Sequence, residues 1–183
     1  MYTLQDSLKE ISEKHLGNFT TSEGKWLNGN GYLPFYNYFL KIDFESGSIK
    51  VNYEFKSNEF SKTTALDLGS HSDQHTCSIV CDIQNSTRLY PFDIRPKSLL
   101  QQLFSSELFQ VKCKNETFTR TLRDNRDLNE LYLLSKESSS FKPYISGFRK
   151  ENEFIIEVHF GNNKSMPEVI DKFIHWLEEL GKR

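Results

Sequence analysis

The sequence predicts an α+β fold: a curved antiparallel sheet of about 7–9 strands built from hairpins, with a helix at each end and one or two short helices between. Three observations carry this. From Ser48 to Lys56, the apolar Ile49, Val51, Tyr53 and Phe55 alternate without a break with Lys50, Asn52, Glu54 and Lys56. Successive strand side chains point to opposite faces, so this period of two marks a half-buried strand. The same alternation recurs in several other segments. Finally, 15 Phe, 8 Tyr and 2 Trp stand against a single alanine, Ala65. Such bulky side chains favour sheets over tight helix–helix packing.

The elements follow in chain order. Leu4, Leu8, Ile11 and Leu16 form one apolar stripe at helical spacing, which predicts a helix of about four turns with Gly17 as its C-cap. Asn18 to Gly31, rich in Gly, Ser, Thr and Asn, reads as a loop pinned to the body by Trp26. Tyr32 to Phe44 reads as a strand with Tyr36, Tyr38, Leu40, Ile42 and Phe44 on one face. Its aromatic start is expected to be covered on both sides. Glu45-Ser46-Gly47 then makes a tight connection into the Ile49 strand.

Phe60 to Leu68 is a further strand candidate, and Gly69 to Gln74 a polar loop. Alternation resumes with Cys77, Ile79, Cys81 and Ile83, and Leu89 to Ile94 adds a short strand. Pro96 suits a first helical position, with Leu99, Leu100, Leu103 and Phe104 following on one face. Phe109, Val111 and Cys113 alternate with Gln110, Lys112 and Lys114. Asn115-Glu116 is expected to turn that strand into another carrying Phe118, Arg120 and Leu122. A helix from Asp127 to Lys136 comes next, buried through Leu128, Leu131 and Tyr132. Phe141 to Phe148 then pairs with Phe154 to Phe160 across Arg149 to Glu153. Ser165-Met166-Pro167-Glu168 reads as a capping box opening a helix that carries Val169, Ile170, Phe173, Ile174, Trp176, Leu177 and Leu180 and stops at Gly181.

Length and charge bound the function. A chain of 183 residues, 37% hydrophobic and 26% charged, suits one globular domain spanning residues 1–183. A net charge of −2 argues against a dedicated nucleic-acid binder, which carries a basic excess. No run approaches the ~18 apolar residues of a membrane span. Met1 to Lys14 holds Asp6, Lys9, Glu10, Glu13 and Lys14 and no apolar core, unlike a secretory signal. Three cysteines, Cys77, Cys81 and Cys113, are an odd count that does not suggest a disulfide scaffold, so a reducing cytoplasm is the expected location.

Three constellations carry candidate chemistry. His71, Asp73 and His75, with Cys77 beyond them, are metal-ligand types that share one face of an extended chain. Same-face strand positions lie roughly 7 Å apart, however, so one ion would need further ligands from elsewhere. Cys77 and Cys81 fall on the apolar face beside Ile79 and Ile83 and read as small core hydrophobes. The second constellation is the basic set Lys112, Lys114, Arg120, Arg123 and Arg126, where the lysines point to solvent; it reads first as a solvated sheet face and otherwise suits an anionic partner such as a phosphate or an acidic protein surface. Glu116, Asp124 and Asp127 are interspersed and weaken its field. The third is the aromatic run Trp26, Tyr32, Phe35, Tyr36, Tyr38 and Phe39, which reads first as core, with any surplus, Trp26, Tyr32 and Phe35 among it, suited to anchoring an interface before lining a ligand pocket.

Catalytic templates are absent: there is no Gly-x-Ser-x-Gly elbow and no phosphate-binding glycine loop. The leading expectation is therefore a non-enzymatic protein-interaction module of the adaptor, inhibitor or immunity type, with no cofactor and another protein as its partner. One alternative is a small-ligand binder with an apolar cavity under the sheet near Trp26, Tyr36 and Tyr38. Another is a metal-dependent enzyme using His71, Asp73 and His75.

Overall fold

The computed structural model describes residues 3–28, 31–57, 73–84, 86–98, 100–101, 107–137, 141–162 and 166–182. Among these residues eight strands form one open, curved antiparallel sheet in the order β1-β2-β3-β4-β8-β7-β5-β6. They are β1 (Asn18–Asn28), β2 (Gly31–Phe44), β3 (Gly47–Lys56), β4 (Gln74–Gln84), β5 (Phe92–Pro96), β6 (Phe109–Cys113), β7 (Tyr144–Lys150) and β8 (Glu153–Asn162). The helices that lie whole within the described residues are α1 (Leu4–Lys14), α2 (Glu116–Arg123), α3 (Arg126–Glu137) and α4 (Pro167–Gly181). The predicted α+β class, hairpin construction and terminal helices are all present.

Alternation reports one buried face wherever a strand lies inside the sheet. Ile49, Val51 and Tyr53 of β3 are buried, as are Cys77, Ile79, Cys81 and Ile83 of β4 and Phe154, Ile156 and Val158 of β8. α4 covers them with Val169, Ile170, Phe173, Ile174, Trp176, Leu177 and Leu180, all buried. Each such side chain contributes roughly 1.5–3 kcal/mol on transfer from water. The opposite sheet face carries no helix among the described residues and is polar at its centre, where Lys50 pairs with Asp82 at 2.7 Å.

α1 is tied to α4 by charge. His15 sits between Asp171 and Glu178, its ring nitrogens 2.9 and 3.0 Å from their oxygens, and Lys14 bonds Asp171 at 2.7 Å. Burial alone would raise the Asp171 carboxyl. The hydrogen bonds from Lys14 and His15 outweigh that and hold it below its ordinary value.

Five expectations are corrected. Asn18 to Gly31 is not a loop, because β1 pairs with β2 along its whole length, from Asn18↔Lys41 to Asn28↔Gly31. The expected strand through Phe118, Arg120 and Leu122 is helix α2, capped by the Asn115 side chain, which accepts from the Phe118 N–H at 2.8 Å. Pro96 ends β5 opposite Phe109, and the expected helix begins after it: Leu100 and Gln101 are helical, while Leu99, Leu103 and Phe104 lie outside the described residues. α4 has Met166 at its N-cap, one residue later than the expected Ser165, and Met166 makes no side-chain capping bond; Ser165 itself lies outside the described residues.

The fifth correction concerns α1, which stops at Lys14 after 11 residues. Leu16, not Gly17, takes the left-handed conformation, with φ 54°. Gly17 and Leu16 donate to Ser12 and Glu13 carbonyls at 2.7 and 3.1 Å, the two bonds of a Schellman ending with leucine in the place usually given to glycine. Gly17 is needed for another reason: a Cβ there would lie 2.8 Å from the Lys41 carbonyl oxygen. The expected Phe60 to Leu68 strand lies outside the described residues.

Candidate functional site

The β5–β6–β7 end of the sheet brings the predicted lysines together with residues that sequence reading did not single out. Asp93 of β5 is the register partner of both Lys112 on β6 and Ser146 on β7. All three therefore face the helix-free side. With Tyr90, Lys114 and Phe148 they line an open cleft of about 780 Å³. Tyr90 and Phe148 are exposed large rings (42% and 37%), and Lys112 and Lys114 are exposed cations.

The hydrogen bonding sorts these groups. The Tyr144 hydroxyl donates to Asp93 Oδ1 at 2.7 Å, and the Arg95 guanidinium lies 4.8 Å over the Tyr144 ring. The one carboxylate of the cleft is thus already engaged. Among the described residues no carboxylate pairs with Lys112 or Lys114.

Arg120 and Arg123 lie on α2 rather than on a strand, and they line a second cleft of about 720 Å³. Val111 and Cys113 of β6 border both clefts, so the strand separates them. Charges are more balanced on this side. Glu107 accepts from Lys97 at 2.6 Å and pairs with Arg123 at 3.4 Å, and the Lys97 bond holds its carboxyl below the ordinary value. β6 forms the edge of the sheet, with β5 on one side and no strand on the other among the described residues.

The aromatic candidates gather at the far end. Trp26 stands opposite Leu33, with Lys56 Nζ 5.9 Å from its ring, and Phe35 stands opposite Gly24. Tyr32 is exposed (68%), while Trp26 and Phe35 are half-buried. Tyr38 and Tyr53 are core residues with rings 6.4 Å apart, and Tyr36 stacks on Phe55 at 6.1 Å.

His75 is buried, stacked 4.8 Å from Phe55, with Nδ1 2.9 Å from the Tyr53 hydroxyl. Burial lowers its pKa, against the opposing pull of the Asp73 charge. His71 lies outside the described residues, and among those described no three His, Cys, Asp or Glu side chains gather as a metal site.

Cys77 and Cys81 are core thiols; burial raises both, Cys81 to about 12, which leaves them un-ionised. Cys113 and His159 cannot act as a dyad, because their strands β6 and β8 are separated by β5 and β7, about 14 Å at ordinary strand spacing. Among the described residues no helix is long and apolar enough to cross a membrane.

The exposure of Lys112 and Lys114 was legible from the alternation that runs through β6. Tyr90 and Phe148 carried no comparable signal, since only the strand order places β7 beside β5. No protein-family model, curated protein or solved structure matches the chain.

Proposed function

We propose that this chain is a non-enzymatic protein-interaction module that docks a partner protein at the β5–β6–β7 end of its sheet. One observation carries the reading: two lysines with no carboxylate partner among the described residues and two exposed aromatic rings converge on an open cleft beside a sheet edge. Aromatic rings supply buried area at an interface, cations supply selectivity, and the rigid strands beneath supply pre-organisation. A cytoplasmic setting accords with Cys77, Cys81 and Cys113, which are all free thiols.

The test is affinity capture with the tagged chain in its own host, followed by the same capture with two paired variants. Tyr90→Ala with Phe148→Ala, and Lys112→Ala with Lys114→Ala, are both expected to lose the captured partner. The exposed lysine pair changes stability by within about 0.5 kcal/mol, so its melting temperature stays within a few degrees. The two rings are more than half covered and Tyr90 packs 5.9 Å from Phe118, so capture by the aromatic pair is read where circular dichroism shows that variant folded. Undiminished capture by both variants would remove this surface from consideration.

A further inference from the structure

β6 is an edge strand of five residues, and the peptide groups on its outer side have no strand to pair with among the described residues. Such an edge is a template for an added strand, whose main chain supplies affinity while alternate side chains supply specificity. Lys112 lies on β6 and Lys114 directly after its last residue, both line the same cleft, and two positions of extended chain span about 7 Å. Carboxylates at alternate positions of an added strand have the same spacing and the opposite charge. The intervening side chains of that strand would face the second cleft, where Arg120 has no carboxylate partner among the described residues.

We infer that the docked segment is an extended acidic stretch of the partner protein, added alongside β6 with alternate carboxylates on Lys112 and Lys114. This rests on the docking surface proposed above and names what fills it. The Asp93 carboxylate does not oppose it, because the Tyr144 hydroxyl already binds that group at 2.7 Å. A polynucleotide fits less well, since Glu107, Glu116 and Asp124 line the second cleft and would repel a continuous polyanion.

The probe is a short fluorescein-labelled peptide of alternating glutamate and threonine, followed by fluorescence anisotropy on the full chain. It is expected to bind, to weaken with added salt, and to lose on the order of tenfold or more in affinity with Lys112→Glu plus Lys114→Glu. Lys112→Gln with Lys114→Gln serves if the reversed pair does not fold. The same peptide N-methylated at alternate amides is expected not to bind, because it cannot pair with the edge.

The inference is overturned by equal binding of a lysine–threonine peptide, by equal binding of the N-methylated peptide, or by no binding of the acidic one. Displacement of the acidic peptide by oligothymidylate would reassign the surface to nucleic acid. Partner capture that depends on Tyr90 and Phe148 but ignores charge reversal would end this inference alone. Capture indifferent to every one of these residues would end the docking reading with it.

Discussion

Near each end of the sheet a phenylalanine ring lies across a glycine on the neighbouring strand, and the two pairs differ in what holds the ring. Gly24 of β1 faces Phe35 of β2, and Gly147 of β7 faces Phe92 of β5. A Cβ on either glycine would fall inside the ring, 2.5 Å from Phe35 Cζ or 2.3 Å from Phe92 Cε1. Phe92 is buried and packed between Phe118 at 5.8 Å and Phe154 at 6.2 Å. Phe35 is half-buried and makes no ring–ring contact among the described residues. The same local device is pinned at one end and free to yield at the other. The pinned end is the one that carries the lysine cleft, so the proposed docking surface stands on the stiffer part of the molecule. A site held by packed strands keeps its geometry better than one at a soft margin.

The strongest way to break this comparison is to attack the pin itself. Phe154→Asp puts an unpaired carboxylate where β8 meets Phe92 and α4, and is expected to cost more than about 4 kcal/mol and abolish folding. Far-UV circular dichroism decides it; a normally folded variant would place the buried face elsewhere. Gly147→Ala is the next largest. The new methyl must displace a ring fixed on both sides, an overpacking cost of about 1–3 kcal/mol, read as a lower midpoint in urea. An unchanged midpoint would mean that Phe92 is not pinned.

The two ends also differ in how far the sequence announced them. β3, β4 and β8 were legible because each has one face in the core and one in solvent, and alternation is the record of that asymmetry. β1 has no such asymmetry: it is an edge, its apolar Phe19 and Trp26 point to opposite faces, and Thr20 to Glu23 between them are polar. It therefore read as a loop. Phe118, Arg120 and Leu122 show a period of two, but Phe118 and Leu122 also stand one helical turn apart, and eight residues are too few to separate the periods. The Asn115 cap was the overlooked local signal. At the candidate site the sequence supplied the lysines, whereas the cleft needed β7 to insert between β8 and β5, an arrangement no local pattern encodes.

A buried imidazole sits at the soft end, and this offers a gentler test. His75 is held below its ordinary pKa by burial beside Phe55 and Tyr53. Between that depressed value and about 6.5 the unfolded chain binds a proton that the folded chain refuses. The stability from neutral His75 is complete above about pH 6.5 and falls as the pH drops, by at most about 1.4 kcal/mol per pH unit. His75→Phe removes the term. The difference in melting temperature between wild type and variant is expected to shift in the variant's favour from pH 7.5 to 5.5, values chosen about one unit either side of the imidazole pKa. A difference that stays constant would show that His75 takes up its proton in the folded state.

The smallest expected effect sharpens the comparison most. Gly24→Ala creates a clash on paper as severe as Gly147→Ala, yet the Phe35 ring has an open side and can swing outward. Gly24 does not adopt a left-handed backbone, so alanine adds no strain there. Losing glycine also narrows the unfolded ensemble, worth about 0.4–1 kcal/mol toward folding. That gain offsets most of the lost ring contact, and the net change is expected to stay within about 0.5 kcal/mol. A urea midpoint measured beside Gly147→Ala reads both under one condition. Equal losses would mean that Phe35 is as firmly held as Phe92, so that stiffness could not be what singles out the lysine end for docking.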